Sequence, residues 1–418
     1  MLIVKNKNLI KNLVSIMLID VLAKSSSLFL LPIYLKLMTQ EEFGIYSYAI
    51  GLSAFFTSIG SMGLYGAINR YFYDRRYSQN EVVSTLFSIL VVSIVSFVFA
   101  LASTIHVWRD LVFSSLKNNV IVVFVILSIF NGALVQFFMS FFYIDKRYKE
   151  IRNFNLARLV LVNCVSLGAM YLFSQNSVVE RLSALIASEL LVCMLFLKYI
   201  LQHFSYKKFN KNLAKESLIF GYPLVLNAVL GFIYSFTDKY FIQNLFDFRL
   251  VGEYYFMFTF SSMFSILFSS IQNFWLPFFF NPANKHLLSI KIIQLISLLS
   301  ILVIVYYFIV LFLLNFLFTF NIFNVAYKAG ISYLWLLVFS QFILSVSSLL
   351  NNYFSLYNKT IYGLYVSLIM SFVSIFIMYF FINLYQVYGA AFAVLINSII
   401  SLMLTFVFVR YIKMRIHE

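Results

Sequence analysis

Asp20 and Lys24 stand four residues apart inside SIMLIDVLAKSSSLFLLPIYL (15–35), a run apolar enough to cross a bilayer. That spacing puts acid and base on one helical face, and Asn12 and Ser27 extend the face in both directions. An ionisable side chain at the centre of a membrane helix costs about 2.5–3.5 kcal/mol on the insertion scale, so such groups face a bundle interior, a water path or each other. Two readings are open for the pair: it lines a polar cavity, or it is an intrahelical salt bridge that neutralises two charges. A second stripe is built the same way from Asn227, Gly231, Tyr234 and Asp238, with Lys239 next in the chain. A third runs through Gln341, Ser345, Ser348 and Asn352, and interhelical hydrogen bonding is its simpler use. Arg70, Arg158 and Glu189 are further polar residues in or beside apolar runs.

Covalent chemistry has no visible seat. No G-x-x-x-x-G-K-[ST] loop is present to cradle ATP phosphates. His106, His203, His286 and His417 are scattered, with no H-E-x-x-H and no cysteine cluster. The chain reads as no enzyme, without metal or organic cofactor. Cys164 and Cys193 both lie in hydrophobic runs, where cysteine packs as a small apolar residue.

The elements that must position the polar stripes follow from composition. Of 418 residues, 62% are hydrophobic and only 11% charged, with a mean hydropathy of +0.93. A soluble domain cannot keep that much apolar surface from water, so the expected class is an all-α polytopic membrane protein. Runs of about 20 apolar residues, the length of a span, recur twelve times, the last two over 361–383 and 388–411. The net charge of +15 is explained by loops rather than by nucleic acid. Lys5, Lys7 and Lys11, then Arg70, Arg75 and Arg76, Lys146 to Arg152, Lys207 to Lys215, Lys285, Lys291 and Lys359, and Arg410 to Arg415 fall on one side. Lys36, Arg109, Lys117, Arg181, Arg249 and Lys328 fall on the other. That asymmetry places both termini in the cytoplasm. The N-terminal run is too long and too charged for a signal peptide and reads as an uncleaved first span.

The chain also resembles itself. EEFGIYSYA (41–49) aligns with RLVGEYYFM (249–257), YKEI (148–151) with NKTI (358–361), and ALIASELL (184–191) with AVLINSII (393–400), at offsets of 208 to 210. Two six-helix bundles are expected, 1–206 and 207–418, related by a pseudo-two-fold axis along the membrane normal with a central cavity between them. Pro223 inside the seventh span predicts a bend there.

FGYPLVLNAVLGFIYSFTDKYFIQNLFDFRLVGEYYFMFTF (220–260) resembles the seventh and eighth helices of bacterial polysaccharide-biosynthesis flippases: an early Pro223, then Asp238 with a basic neighbour, then Val251-Gly252-Glu253-Tyr254. LPIYLKLMTQEEFGIYSYA (31–49) resembles the first hairpin of that family, and YQVYGAAFAVLINSII (385–400) its twelfth-helix entry. The resemblance implies the multidrug/oligosaccharidyl-lipid/polysaccharide exporter superfamily. Within it, the length and span number resemble O-antigen flippases, transporters of the bacterial inner membrane in lipopolysaccharide synthesis. The implied substrate is an undecaprenyl-pyrophosphate-linked oligosaccharide, moved by alternating access. A polysaccharide polymerase and chain-length machinery are implied partners beside membrane lipid, and nucleic acid is not.

On this resemblance Lys24, Arg158 and Arg70 are candidates to neutralise pyrophosphate. Asn227, Tyr234 and Gln341 are candidates for sugar hydroxyls, and Asp20, Glu189 and Asp238 for a coupling H+ or Na+. Lys239 stands where arginine is common and offers a point charge instead of a bidentate fork. A multidrug antiporter of the same superfamily and a membrane-embedded polysaccharide polymerase or ligase are the rival readings. The mixed signs of the intramembrane charges and the short loops weigh against them.

Overall fold

The computed structural model describes residues 29–113, 116, 118–173, 176–280, 287–357 and 359–417. Asp20 and Lys24, with Asn12 and Ser27, lie outside the described residues. Regular structure among the described residues is helical throughout, as hydrocarbon requires: a spanning helix satisfies its backbone N–H and C=O groups within its own segment.

In chain order the helices are α1 (Leu31–Leu37), α2 (Gln40–Gly60), α3 (Leu64–Tyr71), α4 (Gln79–Ser103), α5 (Asn119–Ile144) and α6 (Tyr148–Phe173). They continue with α7 (Ser177–Leu201), α8 (Lys211–Leu245), α9 (Phe248–Phe279), α10 (Leu288–Thr319), α11 (Ile331–Leu356) and α12 (Ile361–His417). A 3-10 turn, Val325–Gly330, leads into α11. Ten helical runs among the described residues are long and apolar enough to cross a membrane.

Helix starts follow local chemistry. Ser78 and Glu81 form a reciprocal capping box on α4, Asn118 accepts from the Val120 N–H on α5 at 2.9 Å, and Asp247 accepts from the Leu250 N–H on α9 at 2.9 Å. Each satisfies a donor that the first helical turn leaves free. α8 is continuous with Pro223 inside it.

α12 is two helices in one run. Gln386 has φ 53° and ψ −131°, and the chain folds back there so tightly that a Cβ on Gly389 would lie 1.9 Å from the Phe381 carbonyl oxygen. The rings of Tyr362 and Phe408 meet at 5.3 Å, one from each arm. The two final spans expected from the sequence are thus joined with almost no loop.

The chain divides into two compact units, residues 1–30 with 45–229 and residues 31–44 with 230–418, so that α2 and α8 each contribute to both. In the first unit α5 is the central helix, 56% buried over its span against 11% for α6. Its Phe138 ring stacks on Phe154 at 5.9 Å, and its Gly132 admits Thr57 so closely that a Cβ would sit 2.8 Å from the threonine side chain. In the second unit α11 holds the same place, 61% buried against 17% for α10. Small residues and polar bonds hold these helices together because lipid leaves no hydrophobic drive between them.

Within the second unit, Gly44 of α2 and Gly252 of α9 cross. A Cβ on Gly44 would sit 1.9 Å from the Phe248 carbonyl oxygen, and one on Gly252 would sit 2.1 Å from that of Gln40. These two glycines are the positions that the sequence alignment of 41–49 with 249–257 places opposite each other. Within the first unit, Gly63 (φ +67°) and Gly221 cross equally closely: a Cβ on Gly221 would meet the Met62 carbonyl oxygen at 2.1 Å.

Candidate functional site

Helical spacing projects Tyr234 and Asp238 from one face of α8, and α11 brings Gln341 to them. The three line a cavity of about 70 Å³ with Ser235, Phe258 and Met378. That is room for about two waters and too little for a sugar ring with its hydration. The Tyr234 hydroxyl is buried with no hydrogen-bond partner among the described residues, so the cavity presents an unmet polar group.

Asp238, in contrast, is partnered on both carboxylate oxygens. Tyr254 Oη of α9 donates to its Oδ2 at 2.7 Å, and the Lys239 backbone N–H donates to its Oδ1 at 2.7 Å. Lys239 Nζ stands 3.6 Å from Oδ1 and lies over the rings of Phe258 and Tyr255, at 5.0 and 5.7 Å from their centroids. Lys239 is buried, and its ammonium is spent on Asp238 and the rings; it neither reaches toward an interface nor stands open to a phosphate. In a low dielectric a paired acid and base stabilise each other where either alone would be costly.

The next residue back from Tyr254 repeats the motif in another direction. Glu253 is buried, and Tyr333 Oη of α11 donates to its Oε1 at 3.0 Å. The pair Glu253-Tyr254 thus ties α9 to α11 by one side chain and to α8 by the other. Among the described residues no Lys, Arg or His forms an ion pair with Glu253.

The polar residues expected from the sequence in the first unit have separate settings. Arg158 of α6 and Glu189 of α7 form an ion pair, Arg158 Nη2 donating to Glu189 Oε1. The carboxylate proposed for ion coupling is thereby neutralised, and so is the guanidinium proposed for pyrophosphate. Asn227 is exposed on the part of α8 that belongs to the first unit and does not join Tyr234 and Asp238. Arg70 closes α3 with its guanidinium over the Phe220 and Tyr71 rings, at 4.6 and 5.4 Å, and makes no ion pair among the described residues. Arg181, expected as a loop charge, is buried and lies 3.9 Å from the centroid of the Tyr46 ring. Among the described residues no group of three or more His, Cys, Asp or Glu is placed to hold a metal ion.

Residues 9–281 match the model of the family described as polysaccharide biosynthesis protein. The chain belongs to that family. No curated protein sequence matches it. Solved structures share the fold of this family member over nearly its whole length. The lipid II flippase MurJ in an inward closed conformation aligns with TM-score 0.66 at 14% identity, covering 96% of this chain and 87% of that one. A multidrug resistance MATE family transporter of the MOP superfamily, inward-facing, aligns with TM-score 0.65 at 14% identity, covering 93% and 94%. The MATE multidrug transporter DinF-BH aligns with TM-score 0.64 at 16% identity, covering 95% and 94%. At such identities the likeness speaks to fold alone.

In this family member the site residues that sequence reasoning missed are Glu253, Tyr254 and Tyr333. Glu253 and Tyr254 were visible in the Val-Gly-Glu-Tyr stretch, where an acid inside an apolar helix is itself a signal. Tyr333 carries no such signal, because one tyrosine among many at a span end reads as an interfacial ring.

Proposed function

We propose that the protein is a flippase of the bacterial inner membrane that carries undecaprenyl-pyrophosphate-linked oligosaccharide repeat units, of O-antigen or a related surface polysaccharide, between leaflets. The observation that carries this reading is the family match over 9–281, on a fold shared with a lipid II flippase. The reading takes twelve spans in two six-helix bundles, 1–206 and 207–418, around a central cavity, with both termini cytoplasmic. A polysaccharide polymerase and chain-length machinery act on the flipped product as partners.

The physical task is to pass a hydrated sugar and a pyrophosphate through hydrocarbon while the polyprenyl tail stays in lipid. Burying such charges unpaired is prohibitive, so the path needs fixed hydrogen-bonding groups and cations. Arg158 and Lys239 are engaged with Glu189 and Asp238, which leaves Arg70 as the described candidate for a phosphate. Its planar fork suits a phosphate oxygen pair. Tyr234 and Gln341 offer hydrogen bonds, and Asp238 takes up a coupling H+ or Na+ only when the transport cycle frees it from Lys239 and Tyr254; Asp20 and Lys24 keep the roles set out above. Free-energy coupling to an ion gradient completes the alternating-access cycle.

Deleting the gene and measuring surface polysaccharide tests the reading: loss of polymerised surface glycan, restored by the intact gene, is expected. The fold shared with MATE multidrug transporters favours drug export as the second reading. Unchanged glycan with altered drug sensitivity would establish it instead.

A further inference from the structure

Glu253 is a buried carboxyl that the sites described so far leave without a counter-charge. Among the described residues, the titratable or charged groups on the elements packed against this stretch of α9 are Asp238 and Lys239 of α8, Tyr306 of α10, Tyr327 and Lys328 of the 3-10 turn, Tyr333 of α11, Tyr388 of α12, and Glu41 and Glu42 of α2. Lys239 is 3.6 Å from Asp238 and is consumed there. Lys328 is exposed, and Glu42 accepts from the Thr39 N–H at 2.8 Å. Among the described residues, an ionised Glu253 would therefore add one uncompensated negative charge beside an already neutral Asp238–Lys239 pair, which a low-dielectric interior strongly disfavours.

The neutral acid has no such difficulty. Tyr333 Oη donates to Oε1 at 3.0 Å, the role of a donor to the carbonyl oxygen of a protonated carboxyl, and Oε2 is left to carry the proton. The geometry around Tyr333 is kept for this contact: Gly330 has no side chain, and a Cβ there would lie 3.0 Å from the Tyr333 hydroxyl and 2.4 Å from Met257. The donor is on α11 and the acid on α9, so a movement between these helices removes the bond and opens the carboxyl to water.

We propose that Glu253 is a proton-carrying group of the transport cycle, loaded in this conformation with Tyr333 as its hydrogen-bond donor and unloaded when α11 and α9 part. This rests on the transport reading above, but the site can be tested without the sugar substrate. Infrared difference spectra of the full-length protein in lipid nanodiscs, titrated from neutral to alkaline pH, a range in which exposed carboxyls are already ionised, read the protonation of a buried carboxyl directly. The expectation is a carboxylic C=O band that disappears at alkaline pH, is absent throughout in Glu253→Gln, and persists in Asp238→Asn. Tyr333→Phe should shift the band, since its C=O loses a donor. A titrating band that survives in Glu253→Gln, or none in the wild type, overturns the proposal. In proteoliposomes, Glu253→Gln should lose the stimulation of oligosaccharide-lipid flipping by an imposed proton gradient; retained stimulation also overturns it. A wild type that flips no lipid-linked oligosaccharide, yet shows the Glu253-dependent band, overturns the substrate reading and supports the proton site.

Discussion

Tyr254 holds Asp238 from α9 with a 2.7 Å hydrogen bond while Lys239 supplies the counter-charge. Removing one partner of such a group is costlier than the bond itself, because the other stays buried and unmet. Tyr254→Phe is expected to destabilise the protein by about 1–2 kcal/mol, the range for hydrogen bonds to charged groups tempered by values measured between membrane helices. Lys239→Met should cost more, about 3 kcal/mol, since it leaves a buried carboxylate unpaired. Reversible unfolding of the variants in mixed micelles checks both, and equal losses would contradict this ordering. The exposed contact outside the membrane behaves differently. Arg76 pairs with Asp74 at 2.8 Å and with Glu216 at 3.1 Å. Its hydrogen bonds hold the Asp74 carboxyl below the usual carboxylate range. Asp74 thus favours the folded loop above its unfolded pKa, and this is lost only as pH falls through the lowered folded value. Limited proteolysis of the 72–78 loop should stay constant down to the ordinary carboxylate range and rise below it.

At the scale of elements, helix crossings decide what each glycine tolerates. Gly44→Ala and Gly252→Ala each place a Cβ about 2 Å from a backbone carbonyl oxygen of the crossing helix, an overlap no rotamer can relieve, so α2 and α9 must move apart. Gly168 of α6 has nothing within 4 Å of a Cβ, and alanine there should stabilise by up to about 1 kcal/mol through helix propensity. A thermal-shift series over these three variants tests the contrast, and similar midpoints for Gly44→Ala and Gly168→Ala would contradict the crossing. The turn within α12 gives the converse case. Gln386 sits at φ 53° and ψ −131°, a conformation glycine enters without a Cβ penalty, so Gln386→Gly should gain about 1 kcal/mol. The same assay reads it.

For the whole molecule, transport is the measure. Arg70 is exposed, stacks on Phe220 and carries no ion-pair partner among the described residues, so its loss should leave the fold intact. On the flippase reading, Arg70→Ala reduces surface polysaccharide at unchanged protein level and Arg70→Lys restores it only in part, because a point charge replaces a bidentate fork. Immunoblotting for the protein beside glycan profiling distinguishes this from a folding defect; full glycan in Arg70→Ala would remove Arg70 from the path.

The sequence alone determined the helical membrane class and the apolar runs, because those depend on properties that add along the chain. Hydropathy summed over a window decides whether a run can sit in lipid, and Gly44 and Gly252 align by counting residues. The i, i+4 and i+7 spacings likewise put Tyr234 and Asp238 on one face of α8, since helical geometry is local. Partnership was left to the tertiary structure. Lys239 read as a point charge beside Asp238 until two rings closed around it as well; Arg158 and Glu189 read as independent candidates until α6 met α7. Glu253 gained its donor only from Tyr333, eighty residues on in another helix. Which charges remain free in a membrane protein depends on distances between helices, and one chain's spacing does not contain them.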